Sequence, residues 1–379
     1  MNNKPEVRRQ KAPPHPPLGK GGQKGGNLSI ILTGLLCFAL FILALPGCTQ
    51  QDQMYKESRV LMDTYCTITV VSPSKEKARA AIDAGYAEIE KLDKYLNNFS
   101  PDSEISAVSR DAGTKPVHVS RETLDLMKKT IGISADTGGA FDPTIAPVLK
   151  LWKFSGRPAD PSLPSAAVIK KAQTYVDYRK IKISGESSEI YLEDTGMELD
   201  LGGIAKGYAA DKAIEAIKAR GIKAALVSIA GDISGYGSST NGNPWKVGIQ
   251  DPRPENLNSE KPWEDVFATV LLKDRAISTA GDYQRFFIRD DKRYHHIIDP
   301  ATGYPSDSGL ISVSVIAPEG YVADGIDTAI LILGAEKGMK LLEAKGLDGI
   351  MVTSDKKVLI TKNMKGNIDV LKKGYEEVE

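Results

Sequence analysis

Cysteine and histidine are scarce in this chain, which has three cysteines and four histidines among 379 residues. Cys37 and Cys48 both lie near the N-terminus, so Cys66 is the only thiol in the rest of the chain. A single thiol has no internal disulfide partner, and no Cys/His spacing typical of a zinc site is present. Within the alternating run MDTYCTITV, Cys66 is predicted to be a small buried strand residue, with a reactive thiol as the alternative.

An excess of either charge is also missing. The 49 Lys and Arg residues balance 49 Asp and Glu residues, so the formal net charge is zero. Without a basic field, nucleic acid and electrostatic adhesion to an anionic membrane are discounted as partners. The content of 41% hydrophobic and 26% charged residues instead indicates a folded, soluble body with a sizeable core.

Three familiar site motifs do not occur in the chain. Neither GxxxxGK[ST] nor GxGxxG is found, which excludes a P-loop and a dinucleotide-binding fingerprint. The absence of GxSxG weighs against a Ser-His-Asp hydrolase of the nucleophile-elbow type.

The N-terminal segment is typical of a targeting signal. A basic, Pro/Gly-rich stretch leads into an apolar run over residues 28–45, and the chain turns polar directly after PGC. The run suits a cleaved signal better than a spanning helix, and LALPGC resembles a bacterial lipobox with Cys48 as the lipidated residue. A plain signal peptide or a retained anchor is the alternative.

This pattern predicts three parts: a lipoprotein signal with a low-complexity start over residues 1–48, a tether over 49–57, and one domain over 58–379. We expect the domain to be anchored to the membrane through lipid, in the cell envelope, on the extracytoplasmic (periplasmic) side of a bacterial membrane.

The mature part intermixes helix-like and strand-like segments without a strict βαβ rhythm, which predicts the α+β class. Ser74 is placed to cap a helix ending at Leu96, and Ser120 to cap one ending near Asp136. Further on, the pattern predicts short alternating runs KIKIS, EIYLE and MELDL, a helix from about Ile204 to Arg220, strands near Ala225, Val247, Val266, Phe286, His296 and Val313, helices near Ala323–Leu333 and Glu336–Ala344, and a closing hairpin of IMVTS with KVLIT.

The segment DLGGIAKGYAAD, residues 200–211, carries a strand through two glycines into the start of a helix. Such a junction points backbone N–H groups and the positive end of a helix dipole outward. A phosphate or pyrophosphate is the natural ligand, with Lys206 as a point charge; a tight strand-to-helix turn is the alternative.

The segment ADGIDTAILILG, residues 323–334, places Asp324, Asp327 and Thr328 on one face at the start of a helix. Their oxygens are hard ligands that suit Mg²⁺. An acidic first turn that complements the helix dipole is an equally simple interpretation.

Two further stretches suggest a site for a flat ligand and a base. The loop GGAFDPT and the ring of Phe99 could hold an aromatic system, or be packed turns. His295 and His296 alternate along a predicted strand, so at most one faces a given cleft, where it could act as a base together with Asp299.

Nine segments, taken in order, resemble the ApbE family of FAD:protein FMN transferases. They are MDT (62–64), NFSPDSEIS (98–106), GGAFDPT (138–144), DLGGIAKGYAAD (200–211), AGDISGYG (230–237), PWKVGIQDP (244–252), STAGDYQR (278–285), HIIDPATGYP (296–305) and ADGIDTAILILG (323–334).

The resemblance implies an ApbE-like mixed sheet-and-helix single domain that takes FAD as substrate and uses Mg²⁺. It would cleave the pyrophosphate, release AMP, and attach FMN by a phosphoester bond to a Thr or Ser of an acceptor protein. The acceptor would carry a D-x-x-[ST]-G-A-[ST]-like motif and be a redox-complex subunit or a secreted flavoprotein. An FAD pyrophosphatase that yields FMN and AMP, or a non-catalytic flavin-binding lipoprotein, are the alternatives.

The family's motifs also imply site residues. The metal would be held by Asp324, Asp327, Thr328 and a backbone oxygen near Gly203. The FAD site would be lined by Met62, Phe99, Ala140, Phe141, Asp142, Asp200, Lys206 and Ile297. On chemical grounds, and not from the motifs, His296 is the candidate to take the proton of the acceptor hydroxyl, with Asp299 or a metal-bound water as the alternatives.

Overall fold

The computed structural model describes residues 51–154, 163–254 and 264–378. The predicted signal over residues 1–48, including Cys48, lies outside these ranges and stays a prediction. Within the described ranges, no helix combines the length and the apolar composition needed to cross a bilayer.

The helices and strands alternate irregularly along the chain. The α-helices are α1 (Lys75–Leu96), α2 (Glu104–Arg110), α3 (Arg121–Asp136), α4 (Ala146–Trp152), α5 (Ala166–Gln173), α6 (Ala205–Ala219), α7 (Gly320–Leu333) and α8 (Ala335–Lys345). The strands are β1 (Gln53–Leu61), β2 (Thr64–Ser72), β3 (Val117–His118), β4 (Ile181–Ser184), β5 (Glu189–Leu192), β6 (Ala224–Ile229), β7 (Asp232–Tyr236), β8 (Trp245–Gln250), β9 (Val266–Leu272), β10 (Ala276–Gly281), β11 (Phe286–Arg289), β12 (Lys292–His295), β13 (Leu310–Ala317), β14 (Asp348–Thr353), β15 (Lys357–Ile360), β16 (Ile368–Val370) and β17 (Glu376–Val378).

A nine-stranded sheet forms the centre of the described part of the chain, in the order β1-β2-β6-β7-β10-β13-β14-β15-β17. Its neighbours are antiparallel except β15 and β17, which run parallel. Three smaller sheets, β3-β5-β4, β16-β9-β8 and β11-β12, flank it. The predicted α+β class is confirmed.

Successive side chains of the central strands point to opposite faces of the sheet and pack into two apolar cores, one on each face. On β2, Cys66, Ile68 and Val70 face the core that contains helices α1, α3, α6 and α7, whereas Val71 faces the core beneath β8 and β9. Cys66 is fully buried, as predicted, and burial raises the pKa of its thiol to about 11, so the thiol is protonated at neutral pH.

Serine residues that cap helices identify the starts of α1 and α3 in the sequence. The Oγ atoms of Ser74 and Ser120 accept hydrogen bonds from Lys77 N and Thr123 N, each at 3.2 Å, and cap α1 and α3 as predicted. The closing hairpin is confirmed as β14 and β15.

Two predicted boundaries were wrong. Residues 53–57 of the predicted tether belong to β1, which pairs with β2 along its whole length. Since β1 is an edge strand with one face in solvent, its composition is polar enough to resemble a tether. MELDL, residues 197–201, lies in no strand, although its alternation resembles one.

A glycine contact between α6 and α7 brings the starts of these two helices together. A Cβ atom on Gly207 would lie 2.2 Å from the backbone oxygen of Gly320, so only glycine permits this approach. The contact sets the start of α6, with Lys206, directly beside the first turns of α7, with Asp324.

Candidate active site

One cavity of 440 Å³ is lined by residues of strands β7 and β10 and of helices α6 and α7. Of the predicted site residues, it is lined by Met62, Phe99, Ala140, Phe141, Asp142, Asp200, Gly203, Lys206, His296, Ile297, Asp324, Asp327 and Thr328. Segments far apart in the chain therefore converge on one place, as a shared ligand would require. Asp299 is absent from the wall.

Three buried carboxylates lie deepest in the cavity. Asp324 and Asp327 lie three residues apart on one face of α7, and Asp232 lies at the start of β7. One carboxylate oxygen of each residue lies within 4.8 Å of the other two. Asp232 was not predicted as a site residue, although it stands in the quoted segment AGDISGYG.

One ammonium, one hydroxyl and one backbone N–H serve these three acids, the last being Gly207 N, which donates to Asp324 Oδ2 at 2.9 Å. Lys206 Nζ lies 2.5 Å from Asp232 Oδ2 and 3.5 Å from Asp324 Oδ1. Ser278 Oγ lies within hydrogen-bond distance of Asp232 Oδ1 and 2.6 Å from Asp327 Oδ2, but a hydroxyl has one proton to donate. Asp327 Oδ1 is buried without any hydrogen-bond partner, so the acids have too few donors.

Burial and the excess of acids over basic groups shift the pKa values of Asp324, Asp327 and Lys206. Burial, and then the charge of Asp232, raises the pKa of Asp324 to about 7, despite the nearby Lys206. Burial and the charge of Asp324 raise the pKa of Asp327 well above its usual range. Burial alone would lower the pKa of Lys206, but the charges of Asp232 and Asp324 outweigh it and raise that pKa.

This donor set fits a divalent cation. Hard oxygen ligands, excess negative charge and an unpartnered carboxylate oxygen are what Mg²⁺ would satisfy. A Cβ atom built on Gly203 would lie 3.4 Å from Thr328 Oγ1, so these two predicted ligands lie side by side. The cluster of acids is thus a possible metal site.

The two histidines face different surroundings, as their alternation predicts. His295 is buried outside the cavity, with its Nε2 2.9 Å from Ser306 O. His296 lines the cavity, and burial, followed by the charge of Arg285, lowers its pKa to about 3. His296 is therefore neutral at pH 7.

Asp299 shapes a turn instead of facing His296 in the cavity. Its Oδ1 accepts a hydrogen bond from Ala301 N at 2.9 Å, and its backbone oxygen accepts one from Gly303 N at 2.7 Å. Trp152 Nε1 donates to Gly303 O at 3.0 Å and fixes the turn against α4. The structure gives Asp299 a place in the turn and none in the cavity wall.

The predicted flavin-side residues differ in how their polar atoms are used. The carboxylate of buried Asp142 accepts hydrogen bonds from Thr144 N, Thr144 Oγ1 and Tyr178 N at 2.9, 2.6 and 3.0 Å, so it orders the loop that presents Ala140 and Phe141. Phe99 is 69% exposed at the cavity mouth, which leaves its ring free to stack.

A second cavity-wall acid holds this mouth in place. Asp200 accepts from Asn98 Nδ2 at 2.9 Å and from Gly202 N at 2.8 Å. These bonds join the segment before Phe99 to the glycine-rich start of α6, so Phe99 and this helix start are positioned together.

Comparison with known proteins gives a consistent result. The model of the ApbE family matches residues 62–351. A protein of Treponema pallidum named FAD:protein FMN transferase is 33% identical over 333 residues, which cover 84% of this chain and 89% of that protein. The crystal structure of an ApbE protein from Thermotoga maritima superposes with a TM-score of 0.74 at 30% identity, covering 83% of this chain and 99% of that one. The apo flavinyl transferase ApbE of Pseudomonas stutzeri gives a TM-score of 0.72 at 29% identity, covering 84% and 97%.

Proposed function

The chain belongs to the ApbE family, and from that membership we infer that it is an FAD:protein FMN transferase. The observation that carries the inference is the convergence of Lys206, the acids of α7 and His296 on one cavity. This combination can hold a diphosphate, offset its charge and accept a proton, which a phosphoryl transfer needs.

The reaction breaks the bond between the two phosphorus-bearing halves of FAD and forms a bond from the acceptor oxygen to the phosphorus of FMN. AMP leaves with the bridging oxygen, and the acceptor hydroxyl loses its proton. A Mg²⁺ ion held by Asp324, Asp327, Thr328 and the backbone near Gly203, with Asp232 close by, would neutralise charge that develops on the diphosphate.

The protein's own groups account for the other requirements. Phe99 would stack on the flavin ring at the mouth and leave the diphosphate to reach the start of α6. His296 is the candidate to accept the proton of the attacking hydroxyl, since it is neutral at pH 7 and lines the same cavity. The polar bonds of Asp299 within its turn favour His296 over Asp299 for this role.

The acceptor is proposed from the family resemblance, and the location from the N-terminal sequence. The acceptor would be a protein with a D-x-x-[ST]-G-A-[ST]-like segment, in a membrane redox complex or a secreted flavoprotein. Lipid on Cys48 would hold the enzyme on the extracytoplasmic side of the membrane.

The test is to incubate the chain from residue 51 with FAD, Mg²⁺ and an acceptor domain that carries such a segment, then weigh the acceptor by mass spectrometry. We expect the acceptor to gain one FMN less water, with AMP released, and both to be lost with EDTA. AMP and free FMN beside an unmodified acceptor would support a pyrophosphatase instead, and bound but uncleaved FAD would support a flavin-binding protein.

A matched pair of variants makes the test specific. Asp324→Ala removes a carboxylate of the buried cluster, whereas Asp307→Ala removes an exposed one that lies 3.6 Å from Lys292 Nζ. The first should abolish transfer while leaving some flavin bound, and the second should leave transfer unchanged.

A further inference from the structure

The cavity wall is rich in acids and poor in cations. Among the described residues that line it, seven are aspartates, and the only Lys or Arg side chains are Lys206 and Arg285. A flavin dinucleotide carries a negatively charged diphosphate, so these two cations have to be accounted for.

Lys206 is already committed to the acid cluster. Its ammonium contacts both Asp232 and Asp324, and only 27% of its side chain is exposed. Arg285 is different, because its guanidinium makes no hydrogen bond or ion pair with any residue in the described ranges. The cavity therefore has one cation that no protein group neutralises in those ranges.

The hairpin of β11 and β12 fixes where Arg285 points. Phe286 pairs with His295, so the next pair at the base of the hairpin is Arg285 with His296, and His296 N donates to Arg285 O at 3.0 Å. Directly opposite residues of an antiparallel pair share one face of the sheet. Both residues line the cavity, Arg285 at an exposed position, and the charge of Arg285 contributes to lowering the pKa of His296, which agrees with close approach.

Charge balance indicates what this guanidinium meets. Three carboxylates and Lys206 leave an excess of two negative charges when all are ionised, which a divalent cation offsets. The diphosphate then brings further negative charge into the same space. A planar guanidinium matches phosphate oxygens better than any other side chain.

We propose that Arg285 is a catalytic residue that binds the phosphoryl group of the flavin nucleotide from the His296 side of the cavity. The proposal rests on the proposed function, since it assigns Arg285 to the phosphate that is transferred. It adds a second cation, beside Lys206, to the wall that the phosphoryl group would contact, next to the residue that accepts the proton.

Binding measurements test this without any turnover. Quenching of flavin fluorescence would give the dissociation constants of FAD, FMN and riboflavin in EDTA for the wild type, Arg285→Ala and Arg285→Lys. FMN has the phosphate and riboflavin lacks it, so the ratio of their dissociation constants measures phosphate recognition. We expect Arg285→Ala to raise the dissociation constants of FAD and FMN by about tenfold or more and to leave that of riboflavin unchanged. Arg285→Lys should give dissociation constants between those of the wild type and Arg285→Ala.

Lys292→Ala is the matched control, because it removes a positive charge from the exposed end of the same hairpin, outside the cavity wall. This variant should keep all three dissociation constants. Equal weakening of riboflavin and FMN by Arg285→Ala would overturn the proposal and make Arg285 a structural residue of the rim. No weakening of any flavin, with a raised KM for the acceptor, would also overturn it and assign Arg285 to the acceptor protein. If the wild type transferred no FMN but still bound FMN more tightly than riboflavin through Arg285, the proposed transferase function would be wrong and the phosphate-binding role of Arg285 would stand.

Discussion

Two groups of buried charges in the described part of the chain differ in how their acidic and basic groups are balanced. In the cavity, three acids share one ammonium, and the pKa of Asp324 is raised to about 7 by burial and the charge of Asp232. In the second group, Asp251 contacts Lys372 at 2.6 Å and Asp282 accepts two hydrogen bonds from Arg253 at 2.7 Å.

The direction of the pKa shifts separates the two groups. Burial alone would raise the pKa of Asp251, but its bonds to Lys372 and Tyr375 outweigh burial and lower that pKa. Removing one partner from a matched group leaves a buried charge unpaired and destabilises the fold, whereas an unmatched group with shifted pKa values is typical of a binding or catalytic site. The difference assigns the first group to function and the second to structure.

The largest effect is expected from Asp327→Asn, which tests the functional group. Loss of one carboxylate charge should lower FMN transfer by about a hundredfold or more, because charge stabilisation at the diphosphate is weakened. The free energy of unfolding without metal should stay equal or rise, since like charges lie close together there. Steady-state rates and urea unfolding in EDTA measure the two effects, and a clear loss of stability would assign Asp327 a structural role.

The next effect is expected from Asp282→Ala, which tests the structural group. Arg253 would keep a partly buried guanidinium without its carboxylate, at a cost of about 2–4 kcal/mol in the free energy of unfolding. Urea unfolding checks this value. If Asp282→Ala kept full stability, the second group of charges would contribute nothing to the fold.

A smaller effect is expected from the pH dependence of stability at Asp211, which links α6 to the start of α7 by hydrogen bonds. Its carboxylate accepts from Gly320 N at 2.8 Å, Tyr321 N at 3.2 Å and Ser234 Oγ at 2.8 Å, and burial raises its pKa to about 6. The folded state binds the proton more tightly than the unfolded state, so stability should fall as pH rises from about 4 to about 6, by about 2–3 kcal/mol.

Asp211→Asn provides the control for that slope. Asparagine does not titrate, so the variant's free energy of unfolding in EDTA should change less across this pH interval than the wild type's. Equal slopes for both proteins would mean that Asp211 does not titrate in this window.

The smallest effect is expected at a turn that neither group of charges touches. Asp290 and Asp291 join β11 to β12 with φ of 49° and 56°, a conformation that glycine adopts more easily. Asp291→Gly should raise the free energy of unfolding by about 0.5–1 kcal/mol and leave transfer unchanged. A destabilised variant in urea unfolding would show that Asp291 is not strained there.

The sequence predicted those parts of the site that are encoded locally. Capping by Ser74, the glycine-rich start of α6 and the i, i+3 pair of α7 each lie within a few residues, so spacing alone shows them. The α+β class follows in the same way from the order of short elements.

The missed residues depend on strand register, which a single sequence does not show. Ile277 pairs with Ile233, so Ser278 lies opposite Asp232 only because β10 and β7 are neighbours. Arg285 meets His296 through the register of another hairpin. Asp299 lies in a turn for a local reason, since an Asp followed by Pro and Gly forms a turn as readily as it forms a site.

The most direct test of this comparison is the thermal midpoint of unfolding as a function of Mg²⁺ for the wild type, Asp327→Asn and Asp282→Ala. If the acid cluster binds the cation, Mg²⁺ should raise the midpoint of the wild type, raise it much less in Asp327→Asn, and raise it by the wild-type amount in Asp282→Ala from a lower starting value. An equal Mg²⁺-dependent rise in wild type and Asp327→Asn would contradict the account, because the cation would then bind elsewhere.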